Sequence, residues 1–118
     1  MLLGNLFFIM YTLATSPSGT YTGTQILSDN RLDVTFTFQQ YRTVDIFVSD
    51  VMQCNNENFD MIENKIMLYT HNNCIHNDNH ITMSNITYDR FNDKLSVWIN
   101  YGPEYLSANL NLYSSNTL

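Results

Sequence analysis

From Leu32 to Gln39 the side chains alternate strictly: Leu32, Val34, Phe36 and Phe38 fall on one side of an extended backbone, and Asp33, Thr35, Thr37 and Gln39 on the other. That period of two recurs along the chain. After the first 14 residues no segment sustains the 3.6-residue period of an amphipathic helix. A chain with this pattern buries its apolar rows by pairing strands, so the expected fold class is all-β.

The pattern places eight strands in succession. The first is Gly19 to Leu27, ending at Ser28-Asp29-Asn30; the second is the Leu32 strand; the third carries Val44, Ile46 and Val48. The second and third keep both apolar rows on one face only if the loop between them is odd in length. Three residues at Gln39–Tyr41 would set Phe36 opposite Val44, Val34 opposite Ile46 and Leu32 opposite Val48, and a five-residue loop shifts those pairs by a step. Asn58 to Ile62 and Ile66 to Thr70 form a second hairpin around Glu63-Asn64-Lys65, with Ile62 expected opposite Ile66 and Phe59 opposite Tyr69. Cys54 and Cys74 flank this hairpin and are expected to close its base as a disulfide, contributing about 3 kcal/mol for a loop of that length. His71 to His80 is polar and rich in Asn, and reads as a loop with room for one helical turn near Cys74.

Three strands follow: Ile81 to Tyr88, Leu95 to Tyr101, and Leu106 to Tyr113, with Pro103 in the last turn. The first of these mixes its phases, since Ile81 and Met83 are odd while Ile86 and Tyr88 are even. A bulge would reconcile them, and an outward Asn85 would place Ile86 and Tyr88 inside. Short sequential connections favour an antiparallel meander, closed as a small barrel or folded as a sandwich, since open edges invite aggregation.

Length and composition fit one domain of marginal size. Five basic residues against eleven acidic ones give a net charge of −6, which disfavours nucleic acid and anionic membrane surfaces. Leu2 to Ala14 is a mostly apolar run too short for a bilayer, which takes roughly 20 residues; it reads as a secretory signal cut after Ala14, leaving one domain over residues 15–118. No later stretch is long enough to span a membrane. The cysteine pair and the sequon Asn85-Ile86-Thr87 agree with a secreted, extracellular location and a glycan on Asn85.

The strand succession, with a first strand opening Gly19-Thr20-Tyr21, resembles the lipocalin-like (calycin) barrels, whose first strand opens Gly-x-Trp with a later Arg packed on the Trp. Here Tyr21 stands in place of the Trp, and the final strand has no Arg. The resemblance implies a small apolar ligand inside the barrel, lined by Val34, Phe36, Ile46, Val97, Ile99 and Leu110. The same side chains can instead fill the core and leave no cavity.

No catalytic constellation emerges. There is no Gly-x-Ser-x-Gly elbow, the carboxylates are scattered, and both Cys are committed to the bridge, so no enzyme activity and no cofactor are expected. His71, Cys74, His76 and His80 lie close in sequence, but an oxidised Cys is no thiolate ligand and the spacing matches no zinc motif, so no metal is expected. Asp89 to Asp93 lacks the Gly and terminal Glu of a calcium loop and reads as a solvated turn. Tyr41, Phe47, Trp98 and Tyr113 fall on the outer face or in loops, where rings supply contact area at low entropic cost. Tyr41, Phe47 and Trp98 form the expected partner surface. The sequence thus points to a secreted binding or interaction module for a protein or glycan, with a carrier of an apolar ligand as the alternative.

Overall fold

The computed structural model describes residues 16–27, 29–69, 74–76, 81–101 and 106–115. The expected leader, His71 and His80 of the weighed metal cluster, and the Pro103 turn lie outside these residues. The strands are β1 (Gly19–Leu27), β2 (Asn30–Gln39), β3 (Thr43–Val48), β4 (Met52–Ile62), β5 (Lys65–Leu68), β6 (Cys74–His76), β7 (Ile81–Asp89), β8 (Lys94–Tyr101) and β9 (Leu106–Ser114). All pairings are antiparallel, in the order β3-β2-β1-β9-β8-β7-β5-β4-β6, and a further β3–β4 ladder closes the sheet on itself. β5 pairs with residues 59–62 of β4, and β6 with residues 52–54 along the edge that β3 leaves free. The two occupy successive parts of one place, so the ring has eight positions. The fold is an all-β antiparallel meander closed as a barrel, and of the two expected architectures the barrel is the one formed.

Turn lengths set which rows enter the barrel. The β2–β3 loop has three residues, Gln40 to Arg42, because Gln39 pairs with Thr43. The resulting pairs are Phe38 with Val44, Phe36 with Ile46 and Val34 with Val48, one step from the expected register. The loop is odd, as shared burial of both rows demands, and all six side chains are buried. The β4–β5 turn departs from expectation. Ile62 pairs with Lys65 across the two residues Glu63 and Asn64, and the facing pairs are Met61 with Ile66 and Phe59 with Leu68. Glu63 takes a left-handed φ of 58°, which suits the tight turns of two-residue hairpins. The apolar rows here have opposite parity, odd in β4 and even in β5, so an even turn is what joins them. Ile62 and Tyr69 consequently face outward and do not pair with Ile66 and Phe59 as expected.

Two bulges preserve the inward row within long strands. In β4 the register against β3 shifts between the Ile46–Cys54 and Val44–Glu57 pairs, so Asn55 and Asn56 together face Asp45. Asn56 adopts a left-handed φ of 55°, and its N–H donates to Asp45 Oδ1 at 2.7 Å. Inward residues are thus Met52 and Cys54 before the bulge, and Glu57 and Phe59 after it. In β7 the shift falls between Ser84 and Thr87, with Asn85 at φ 51°. Ile81, Ile86 and Tyr88 are all buried as a result, and Asn85 is exposed. The segment from Met52 to Glu57 continues β4, and Cys74–His76 is a strand rather than a helical turn in a loop. The disulfide is the reason: Cys54 and Cys74 are directly paired and bonded, which docks β6 onto β4.

Closure depends on short seams. β5 meets β7 through Lys65 and Thr87, supported by Tyr88 N–H donating to Asn64 O at 2.7 Å. β1 meets β9 through Tyr21–Ser114 and Thr22–Tyr113, with Ser115 N–H donating to Thr20 O at 2.9 Å. Gly23 lies on this second seam. A Cβ there would come within 2.4 Å of Asn111 O and 2.7 Å of a Leu112 methyl. Gly23→Ala is therefore expected to lower the urea midpoint, although Ala costs less conformational entropy than Gly in a strand; an unchanged or raised midpoint would show that the seam has slack.

Tyr21, in the place of the Trp of the lipocalin-like signature, is fully buried and packs edge-on against Phe38 and Tyr88, with centroids 5.6 and 6.3 Å apart. Its hydroxyl donates to Asp93 Oδ1 at 2.6 Å and accepts the Ser18 N–H at 3.2 Å; the Tyr88 hydroxyl donates to the same Asp93 oxygen at 2.8 Å. Burial, with the Asp93 hydrogen bond second, pushes the Tyr88 hydroxyl up to about 12 and that of Tyr21 higher still. The folded state thus holds these protons more tightly than the unfolded chain, whose tyrosines titrate near 10. Their stabilisation is complete below pH 10 and is lost as pH climbs through about 12. Tyrosinate absorbance should rise together with loss of the β-sheet dichroism in that window. Asp93→Ala should cost about 2–4 kcal/mol in urea unfolding, because two buried hydroxyls lose their acceptor.

Candidate functional site

The barrel interior is the first place to look for a ligand. Val34, Phe36, Ile46, Val97, Ile99 and Leu110, the residues expected to line a cavity, all belong to one continuous buried core. Phe36, Val97 and Ile99 leave no surface that a water molecule can touch, and a side chain lining a wet cavity would. Phe38 and Phe59 stack edge-on at 5.4 Å and extend the aromatic packing from Tyr21 across the barrel. Apolar volume here is filled by the chain itself.

Among the described residues, one acidic group is buried in this interior. Glu57 is fully buried, and its Oε1 lies 3.5 Å from Cys74 Sγ. Cys54, Glu57 and Cys74 bring three metal-type donor atoms within 4.8 Å of one another, but both sulfurs are spent in the disulfide and neither is a thiolate. Sequence reasoning missed Glu57 because only the bulge at Asn56 turns it inward.

The outward aromatics do not gather into one patch. Phe47 on β3 and Trp98 on β8 sit four positions apart in the eight-place ring, on opposite walls. Trp98 is flanked by Ser84 and Asn109, and its side chain remains 39% exposed. Tyr41 is 91% exposed in the β2–β3 turn, and this turn is fixed to β4: Phe59 N–H donates to Arg42 O at 3.0 Å, and the Arg42 guanidinium lies 3.6 Å from Asp60 Oδ1.

Around that contact an unanticipated apolar surface assembles. The outer face of the β4–β5 hairpin carries Ile62, Met67 and Tyr69, all exposed, with the Tyr69 hydroxyl donating to Asp60 Oδ2. Met67 is opposite Asp60 and diagonal to Ile62, within reach of it. Ile62, Met67 and Tyr69 thus share one hairpin face with Asp60, and Tyr41 precedes the Arg42 that pairs with it. The signal that would have revealed them was the opposite parity of Phe59/Met61 and Ile66/Leu68, which demands a two-residue turn.

Beside this surface an open groove of about 740 Å³ runs between the β4–β5 turn, with Glu63 and Asn64 on one wall, and residues Thr87 to Phe91 on the other. Phe91 is 74% exposed, and the Arg90 guanidinium sits over its ring, 5.0 Å from the centroid. The Asp89 carboxylate accepts the Phe91 and Asn92 N–H groups and the Asn92 side-chain amide at 2.8–3.3 Å, and these bonds hold its carboxyl below the ordinary carboxylate range. The acidic turn expected to be merely solvated is therefore an ordered, self-capped loop.

Among known protein families, curated proteins and solved structures, none matches this chain. The eight-place antiparallel barrel is consistent with a lipocalin-like small barrel in topology alone. The Cys54–Cys74 bond is compatible with an extracellular location, and no helix among the described residues is long and apolar enough to cross a membrane. Replacing both cysteines by Ala should cost about 3 kcal/mol of stability, read as a lowered urea midpoint, if the 20-residue separation sets the effect.

Proposed function

We propose that this chain is a secreted extracellular binding module that engages a protein partner through the outer face of the β4–β5 hairpin and the adjoining β2–β3 turn. The observation that carries the reading is that the exposed Ile62, Met67 and Tyr69 share one hairpin face, with the exposed Tyr41 in the turn that the Arg42–Asp60 ion pair joins to it. Scattered apolar residues are ordinary on a surface, whereas a contiguous group rimmed by charge is typical of a contact site. Aliphatic side chains flanked by tyrosines suit a flat apolar protein surface better than a polyhydroxylated one. The net charge of −6 favours a neutral or basic partner.

The backbone supports the same surface. Tyr41 and Arg42 take left-handed φ values of 65° and 57°, and Glu63 takes 58°. Each such residue costs about 1–2 kcal/mol relative to a right-handed conformation, a cost that Gly avoids. An exposed Asn85 leaves room for the expected glycan on another part of the barrel.

A lipocalin-like carrier role draws its support from the closed ring of eight positions. The interior row without accessible surface weighs against it.

Recovery of partners from an extracellular or cell-surface extract, compared between wild type and Ile62→Asp/Tyr69→Ala, tests the reading. Loss of about tenfold or more in the variant is expected, since buried tyrosine anchors contribute about 2 kcal/mol or more; Trp98→Ala, on another wall, should leave recovery unchanged. Equal recovery by Ile62→Asp/Tyr69→Ala and wild type would remove the surface from consideration. Tyr41→Gly should weaken recovery too, while leaving stability unchanged or raised by about 0.5–1 kcal/mol as the turn strain is relieved.

A further inference from the structure

We propose that the groove between the β4–β5 and β7–β8 turns is a binding site for a neutral saccharide, with Phe91 as the stacking platform. The site is separate from the apolar surface assigned to the protein partner, and its case does not depend on that assignment. At about 740 Å³ the groove falls in the range of ligand sites and has room for more than one pyranose ring.

Its chemistry narrows the occupant. Glu63 on one wall and Asp89 on the other would repel an anion, and Arg90 is the only basic side chain lining the groove. A simple cation is disfavoured as well. The Arg90 guanidinium, 5.0 Å from the Phe91 centroid, would repel a second positive charge there while leaving the ring 74% exposed to a neutral ligand, and the Asp89 oxygens are engaged by the Phe91 and Asn92 N–H groups and the Asn92 amide. A lipid chain finds too little apolar wall, since Glu63, Asn64, Thr87, Asp89 and Arg90 contribute polar groups. What remains is a neutral ligand with one apolar face and several hydroxyls. A pyranose fits: its axial C–H groups pack on an aromatic ring, and its hydroxyls pair with the Glu63 carboxylate, the Asn64 amide, the Thr87 hydroxyl and the Arg90 guanidinium.

Preorganisation favours the same conclusion. The Asp89 bonds to its own turn fix the loop that presents Phe91, and Tyr88 N–H donating to Asn64 O at 2.7 Å ties the two walls together. The ring is held ready while 74% exposed, so binding would order little that is not already ordered.

The test is ¹⁵N–¹H correlation spectroscopy of the intact folded protein, titrated with the methyl glycosides of glucose, galactose, mannose and N-acetylglucosamine. Choline and inorganic phosphate serve as cationic and anionic counter-probes. At least one glycoside should shift the Asn64 and Phe91 amides saturably, with a dissociation constant of roughly millimolar order. Phe91→Ala, an exposed substitution whose fold is verified by the same spectrum, should weaken that binding about tenfold, and Glu63→Gln by a smaller factor. The proposal fails if none of the four glycosides gives a saturable shift, if Phe91→Ala binds as wild type does, or if choline or phosphate shifts these amides while the glycosides do not.

Discussion

A barrel closes only if each strand keeps its apolar row inside along its whole length, and here two long strands manage this by inserting one extra residue. Without the bulge at Asn55–Asn56, burying Cys54 would turn Glu57 and Phe59 outward; without the one at Asn85, burying Ile81 would expose Ile86 and Tyr88. Asn serves at both left-handed positions because it tolerates that conformation better than most residues other than Gly. In β4 the Asp45 carboxylate also accepts the freed Asn56 N–H. Strand phase, more than any single contact, decides what is core and what is surface.

Once phase is set, the ends of the barrel follow. Tyr21 enters the core from β1 and reaches Asp93 beside Tyr88, so one carboxylate oxygen ties the first strand to the turn between β7 and β8. That link and the narrow β1–β9 seam past Gly23 bring the chain's first and last described strands together. The inward row is thereby committed to packing, and the proposed recognition falls to the exterior. The turns at the Asp93 end present Tyr41, Glu63 and Phe91 on backbones held by local hydrogen bonds.

The alternation of β2, β3, β8 and β9 was legible in the sequence because each of those strands keeps one phase throughout. Leu95, Val97, Ile99, Leu110 and Leu112 are inside as their spacing indicates. The β2–β3 loop length was legible from parity, but its position was not, since two odd registers two residues apart bury the same faces. The β4–β5 hairpin misled because Ile62 and Ile66 look like partners; the strand beneath changes phase six residues earlier, and no apolar count reveals that. β6 was invisible for a different reason: three residues with no rhythm of their own are a strand only because a disulfide holds them against β4. The groove escaped notice because its residues come from two turns that only the β5–β7 seam brings together.

The central claim is that this barrel is filled by its own side chains, and the proposed action through its outside follows from it. Native mass spectrometry of the folded, disulfide-intact protein, with and without excess long-chain fatty acid, tests it most directly. The account predicts a protein mass that fatty acid leaves unchanged, with no adduct surviving gentle activation. A retained one-to-one complex, lost when Ile99 is enlarged to Trp, would place the ligand among the core side chains and contradict it.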